Sequence, residues 1–211
     1  FFFIIYSLLF CLSIGFRAGA GIVRERQQKT LDALLTVPTD RQDLLRAKWL
    51  GAYRRSLSWV IGIGIMALLG LMTTATSYVG LPLLVAGPFI HAAFFCSFGL
   101  FLSVVSRTVL ESYVKLALTV LVLGIGTWLA GAGLNWARPG FFGDFIELGL
   151  NPLRTWHFYG FGYDEFAAAD AYLDRRFWGC LLGLAVFAGL AWLFWLLAGR
   201  AFAKEKYRHV E

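Results

Sequence analysis

Charge is scarce in this sequence: Lys, Arg, Asp and Glu supply 15% of its 211 residues, against about 25% in ordinary soluble domains. Cysteine is scarcer still, with three in the whole chain. Cys11, Cys96 and Cys180 fall in three separate apolar stretches with no CxxC spacing. That excludes a disulfide framework and leaves them as apolar fillers. The three histidines form no HExxH or other ligand spacing, so no metal site is read. No G-x-x-x-x-G-K-[ST] occurs, so the chain has no phosphate-cradling loop of that kind and no cofactor site of its own. What is abundant is apolar: 59% of the residues are hydrophobic, and small soluble domains hide only about 70% of the surface they would expose unfolded. A soluble enzyme, a disordered chain and a stapled secreted domain are all excluded. The composition is that of an integral membrane protein.

A helix crossing roughly 30 Å of hydrocarbon needs about 20 apolar residues. Five stretches answer, at 1–16, 57–72, 83–105, 116–134 and 177–198, with Arg17, Arg54 and Arg55 placed to snorkel from their ends. None alternates apolar and polar residues as barrel strands do, so the predicted fold is an all-α polytopic bundle. Nine of the basic residues lie at 17–55, two at 107–115 and four in the tail, while 73–82 has none and 135–176 sets four against six acidic residues. Basic residues gather on the cytoplasmic side. Five spans meet that pattern only with the first residue outside and the tail at 199–211 inside. The chain opens in mid-run without an initiator Met, which predicts a further span upstream and six in all.

The net charge of +6 favours anionic headgroups on the basic face. Interleaved Glu25, Asp32, Asp40 and Asp43 break it up, so nucleic acid is not an expected partner.

The polar segment at 21–48 is too charged to cross a membrane yet keeps helical periodicity. Leu31, Leu34 and Leu35 form one stripe, Glu25 and Lys29 stand four apart as a favourable pair, and Pro38 stops the helix. Thr39 and Gln42 have capping-box spacing for a second helix leading into the next span. One reading of such a helix is simply interfacial, lying at the headgroups.

The run Arg24-Glu25-Arg26-Gln27-Gln28-Lys29-Thr30-Leu31-Asp32-Ala33-Leu34-Leu35, then Val37-Pro38 and Leu44-Leu45-Arg46-Ala47-Lys48, resembles the signature of type-2 ABC transporter permeases. That pattern reads roughly E-R-E-x-G-T-L-x-x-L-L-x-x-P. Two positions depart from it: Gln27 replaces an acidic residue, and Lys29 stands where Gly is frequent. The resemblance implies a coupling helix that docks on a separate ATPase subunit, which would hold ATP and Mg. Arg24, Glu25 and Arg26 would contact the ATPase groove, while Thr30, Leu31, Leu34 and Pro38 would fix the helix. It also implies an exporter of the cytoplasmic membrane, working with a second permease chain as a homo- or heterodimer. The present spans would be the family's second to sixth.

The segment at 135–176 is crowded with aromatics, which collect at membrane interfaces. Short interfacial or re-entrant helices are expected around 141–150 and 152–159, the second with Pro152 in its first turn and Asn151 as cap. Such helices between the last two spans are similar to the outer lid of type-2 permeases. His157 lies here among Asp144, Glu147, Asp164 and Glu165. A membrane enzyme using His157 and these carboxylates is one alternative, and a non-transporting anchor for a cytoplasmic partner is another. His91 is the one ionisable group deep in a span, read as a packing residue. Thr108 and Glu111 have capping-box spacing, with Lys115 one turn on. Gly124, Gly126, Gly131, Gly133, Gly179 and Gly183 offer small faces for close helix approach.

Overall fold

The computed structural model describes residues 2–30, 41–72, 80–137, 140–161 and 175–204. These are helical throughout apart from short links, with no strand among the described residues. Helix α1 covers Phe2–Gln27, α2 Arg41–Arg54, α3 Leu57–Met72 and α4 Gly80–Val105. A 29-residue rod, α5, spans Val109–Ala137 and contains a π-helical turn at Val122–Gly126. Helix α6 starts at Phe141–Asp144 and continues as the π-helical turn Phe145–Gly149. It is followed by α7 at Pro152–Phe161 and α8 at Arg175–Lys204. Four helices among the described residues are long and apolar enough to cross a membrane, or five if α2 and α3, bent by 48°, count as one span. The chain is a multi-pass membrane protein with an all-α bundle fold.

Contacts fix the directions. Along α1 and α4 the paired positions rise together: Cys11 Sγ points at the Pro88 carbonyl, and Ser103 Oγ accepts from the Ile22 and Val23 amides at 2.8 and 3.1 Å. These two helices are parallel. Helix α8 follows α4 in the same sense, with Phe187 against His91 and Phe94, then Phe194 against Phe98 and Phe101. The rod α5 runs the other way, because Gly19 meets Ser112 and Gly15 meets Leu116. Helix α3 is also antiparallel to α1, with Tyr6 beside Trp59 and Arg17 reaching Ser56. Alternating directions put the basic residues of 17–30, 41–55 and 107–115 and the end of α8 at one end of the bundle.

Packing is closest where glycine removes the side chain. A methyl group on Gly99 would lie 2.5 Å from the Gly15 carbonyl oxygen, so α1 and α4 touch backbone to backbone. Of the six glycines singled out by composition, Gly131, Gly179 and Gly183 face neighbouring backbone, whereas Gly124 and Gly133 meet nothing within 4 Å. The main core is Phe10, Ile14, Phe95, Leu100 and Phe187, all fully buried. His91 is buried within it, its Nδ1 2.7 Å from the Gly87 carbonyl and its ring between Trp156 and Phe187. Its role in the fold is the packing one.

Two boundaries differ from the sequence expectation. The first span does not end at 16 but continues unbroken to Gln27, because Ala18 and Gly19 are buried against α4 and α5 and packing offsets their weak local signal. The charged run at 24–26 is therefore the last turn of this long helix and not part of a separate short one. The second helix of the polar segment enters its span through a break at 55–56. There Arg17 Nη1 donates to the Arg55 carbonyl at 2.8 Å and to Ser56 Oγ at 3.0 Å, satisfying a carbonyl that a helix end leaves open.

Candidate functional site

At the basic end α1 stops in a defined way. The Thr30 amide donates to the Glu25 carbonyl at 3.0 Å and the Lys29 amide to the Arg26 carbonyl at 3.1 Å. Lys29 has φ 56°, the one non-Gly residue with positive φ among the described residues. Together these make a Schellman stop, whose left-handed residue is usually glycine. Thr30 adds a side-chain bond from Oγ1 to the same Glu25 carbonyl.

The three charged residues before this stop have different surroundings. Arg24 is exposed. The Glu25 carboxylate pairs with the Lys48 ammonium of α2, so the expected partner Lys29 is replaced by one 23 residues on. Arg26 turns inward: Nη1 donates to the Ser106 carbonyl and Nη2 to the Val104 carbonyl, both at 2.9 Å. It closes the C-terminus of α4, where open carbonyls and the helix dipole favour a cation. Beneath this layer Ile22, Leu45, Val104 and Phe202 form a small apolar cluster of their own, tying α1, α2, α4 and α8 together. The structure thus brings Arg24, Glu25, Arg26 and Thr30 together in the last turn of α1 and the stop that follows it. Leu31, Leu34 and Pro38 lie outside the described residues, and so does the whole apolar stripe of Leu31, Leu34 and Leu35.

A cavity of about 520 Å³ opens beside this turn. Among the described residues, Arg17, Arg24, Lys48 and Arg55 line it with Glu25 as the single carboxylate, over a floor that includes Ala18, Gly21 and Leu100. Sequence reading found each of these charges but not their convergence, since it depends on the bend between α2 and α3. The Gly15-x-x-x-Gly19 spacing that lets α1 meet α4 was legible as a small-residue motif and went unused.

At the opposite end, α6 and α7 lie where short re-entrant or interfacial helices are expected. Asn151 Oδ1 accepts from the Leu153 and Arg154 amides at 3.1 and 3.3 Å, and Pro152 opens the first turn. The same side chain donates from Nδ2 to the Gly124 carbonyl at 2.6 Å, inside the π-helical turn of α5. One residue therefore caps α7 and docks it to the rod. Asn135 Nδ2 bridges Asp144 and Glu147, each at 3.2 Å, and Arg154 lies 3.5 Å from Glu147. Trp156 is fully buried against Gly87 of α4. His157 is exposed and lines a mainly apolar cavity of about 420 Å³ with Asn151, Arg154 and Trp128. The carboxylates Asp144 and Glu147 sit with Asn135, while Asp164 and Glu165 lie outside the described residues. No group of three or more His, Cys, Asp or Glu side chains gathers as a metal would require, among the described residues.

The model of the ABC-2 family transporter proteins matches residues 1–203. No curated protein and no solved structure matches the chain.

Proposed function

The chain belongs to the ABC-2 transporter family, and from that premise we propose that it is the permease subunit of an ATP-driven exporter of the cytoplasmic membrane. The basic end faces the cytoplasm, as the distribution of Lys and Arg requires. A separate ATPase subunit, holding ATP and Mg, docks on the segment that begins at Arg24. A second permease chain, identical or different, completes the transport unit, and the exposed apolar face of α5 is available to lipid or to that chain.

The observation that carries this reading is the way the end of α1 is held. Glu25 ties it to α2 and Arg26 ties it to α4, while α1 itself is one unbroken helix from Phe2. A force applied at Arg24–Thr30 by closing ATPase subunits is delivered along the whole span and to both neighbours at once. Arg24, being exposed, offers the charge that meets the ATPase. Glu25 and Arg26 act mainly by making the turn rigid, which departs from a direct contact for all three. Leu31, Leu34 and Pro38 follow the stop of α1 in the sequence and are assigned to the docking segment on the type-2 permease pattern. At the other end α6 and α7, fixed through Asn151 and Trp156, form an outer lid, and tilting α1 against α4 and α5 switches access beneath it.

A photo-crosslinking residue in place of Gln28 tests the docking. In cells making the assembled transporter it captures the ATPase subunit, and one in place of Trp136 does not. Capture of the ATPase from both positions, or only from Trp136, would reject the assignment.

A further inference from the structure

The cavity at the basic end is unusual in its combination of charge and wall. Among the described residues, four cationic side chains and one carboxylate face about 520 Å³, a volume within the range of about 300–1,000 Å³ typical of small-ligand sites. Glu25 is engaged with Lys48. Arg17 uses one nitrogen on the break at 55–56, but a guanidinium carries five N–H donors in a fork that matches phosphate oxygens. Arg24 of α1 and Arg55 of the link between α2 and α3 add two exposed guanidiniums. Positive charge therefore exceeds negative charge in a confined space, and an anion with several acceptor oxygens relieves the repulsion.

The remaining lining is small and apolar. Ala18, Gly21, Ala47, Gly51 and Ala52 supply almost no side chain, and Leu100, fully buried, closes the floor. The space beside Gly51 is open, since a Cβ there would meet nothing within 4 Å. The cavity lies at the bend where polar α2 gives way to apolar α3, and arginines at the ends of apolar helices snorkel toward headgroup phosphates. A wall apolar on one side and cationic on the other fits an amphiphile, with its glycerol and first methylenes on alanine and its phosphate on arginine.

We infer that this cavity binds an anionic phosphate group, supplied by a phospholipid headgroup of the leaflet at the basic end. The inference concerns the isolated permease and does not depend on ATPase docking. Phosphatidylglycerol is the lipid probe, and its retention by the purified chain is measured by native mass spectrometry from nanodiscs of phosphatidylcholine with and without phosphatidylglycerol. Wild type retains phosphatidylglycerol in preference to phosphatidylcholine. Arg55→Gln and Gly51→Phe each weaken that retention about tenfold, the loss of roughly 1.4 kcal/mol. Arg54→Gln removes the same charge from a neighbouring position that does not line the cavity and leaves retention within about twofold of wild type, well under that 1.4 kcal/mol. Equal losses for Arg54→Gln and Arg55→Gln would show a diffuse surface attraction and overturn the site. Unchanged retention in Gly51→Phe would overturn it as well, because that variant fills the space without touching a charge. Glycerol 3-phosphate in a neutral detergent distinguishes the source: if it binds as tightly as the lipid, a soluble phosphate is the ligand and the lipid assignment falls.

Discussion

Lys29→Gly is expected to strengthen the end of α1. Lys29 occupies the left-handed position of a Schellman stop with φ 56°. A residue with a Cβ held there costs roughly 1–2 kcal/mol relative to the right-handed region. Glycine removes that cost but enters with a larger backbone entropy loss, roughly 0.5–1 kcal/mol. The net gain is about 0.5–1 kcal/mol, from the difference of those two terms, or up to about a fivefold shift in the local opening equilibrium. The observable is amide hydrogen exchange at Thr30, whose N–H reaches back to the Glu25 carbonyl. Exchange there slows two- to fivefold or so in Lys29→Gly by the same arithmetic. In Lys29→Val, where a β-branched side chain makes positive φ a true outlier, it accelerates beyond wild type. Faster exchange in the glycine variant, or a valine variant no different from wild type, would refute the turn. The type-2 permease pattern has glycine frequent at this position, and the Schellman geometry supplies the physical reason.

Asn151→Asp keeps the acceptor that caps α7 but loses the donor to Gly124, so it separates docking from capping. Asn151→Ala loses both, with about 1 kcal/mol for the cap alone, and proteolysis near α7 should rise from wild type through Asp to Ala. Gly99→Ala forces α1 from α4 and should lower stability in denaturing detergent by about 1–3 kcal/mol. Gly133→Ala, in open space, should be neutral or gain up to about 1 kcal/mol. Cysteine at Gln28 reacts with impermeant thiol reagents from the cytoplasmic side and cysteine at Asp164 from the other, with little background because Cys11, Cys96 and Cys180 are all buried. Reaction of both from one side would overturn the orientation.

What the sequence disclosed was local in origin. The third helix keeps the expected bounds, Leu57–Met72, because a run of apolar residues between Arg55 and the following polar stretch needs no partner to be recognised. Thr108 accepts from the Glu111 amide at 3.2 Å and Glu111 pairs with Lys115 at 2.6 Å, and both follow from three- and four-residue spacing. Asn151 and Pro152 were legible for the same reason. The failures are long-range. That α1 continues through Gly19 and Gly21 depends on Ser103, Ser112 and Gly99, some 80 to 90 residues away. That Glu25 selects Lys48 over Lys29 depends on where α2 crosses α1. The π-helical turn at Val122–Gly126 has no distinctive residue of its own. Its irregular carbonyl is matched by an amide, Asn151, that helical periodicity assigned only to capping.

Coupling at the basic end is tested most directly by ATP turnover of the assembled permease and ATPase in lipid nanodiscs. Arg24→Glu reverses the exposed charge at the end of α1, whereas Arg54→Glu makes the same change beside the bend. Loss of a charge contact worth about 1.4 kcal/mol predicts that turnover falls about tenfold at limiting ATPase subunit in Arg24→Glu, with little change in Arg54→Glu. Wild-type turnover and export in Arg24→Glu would contradict coupling through this turn.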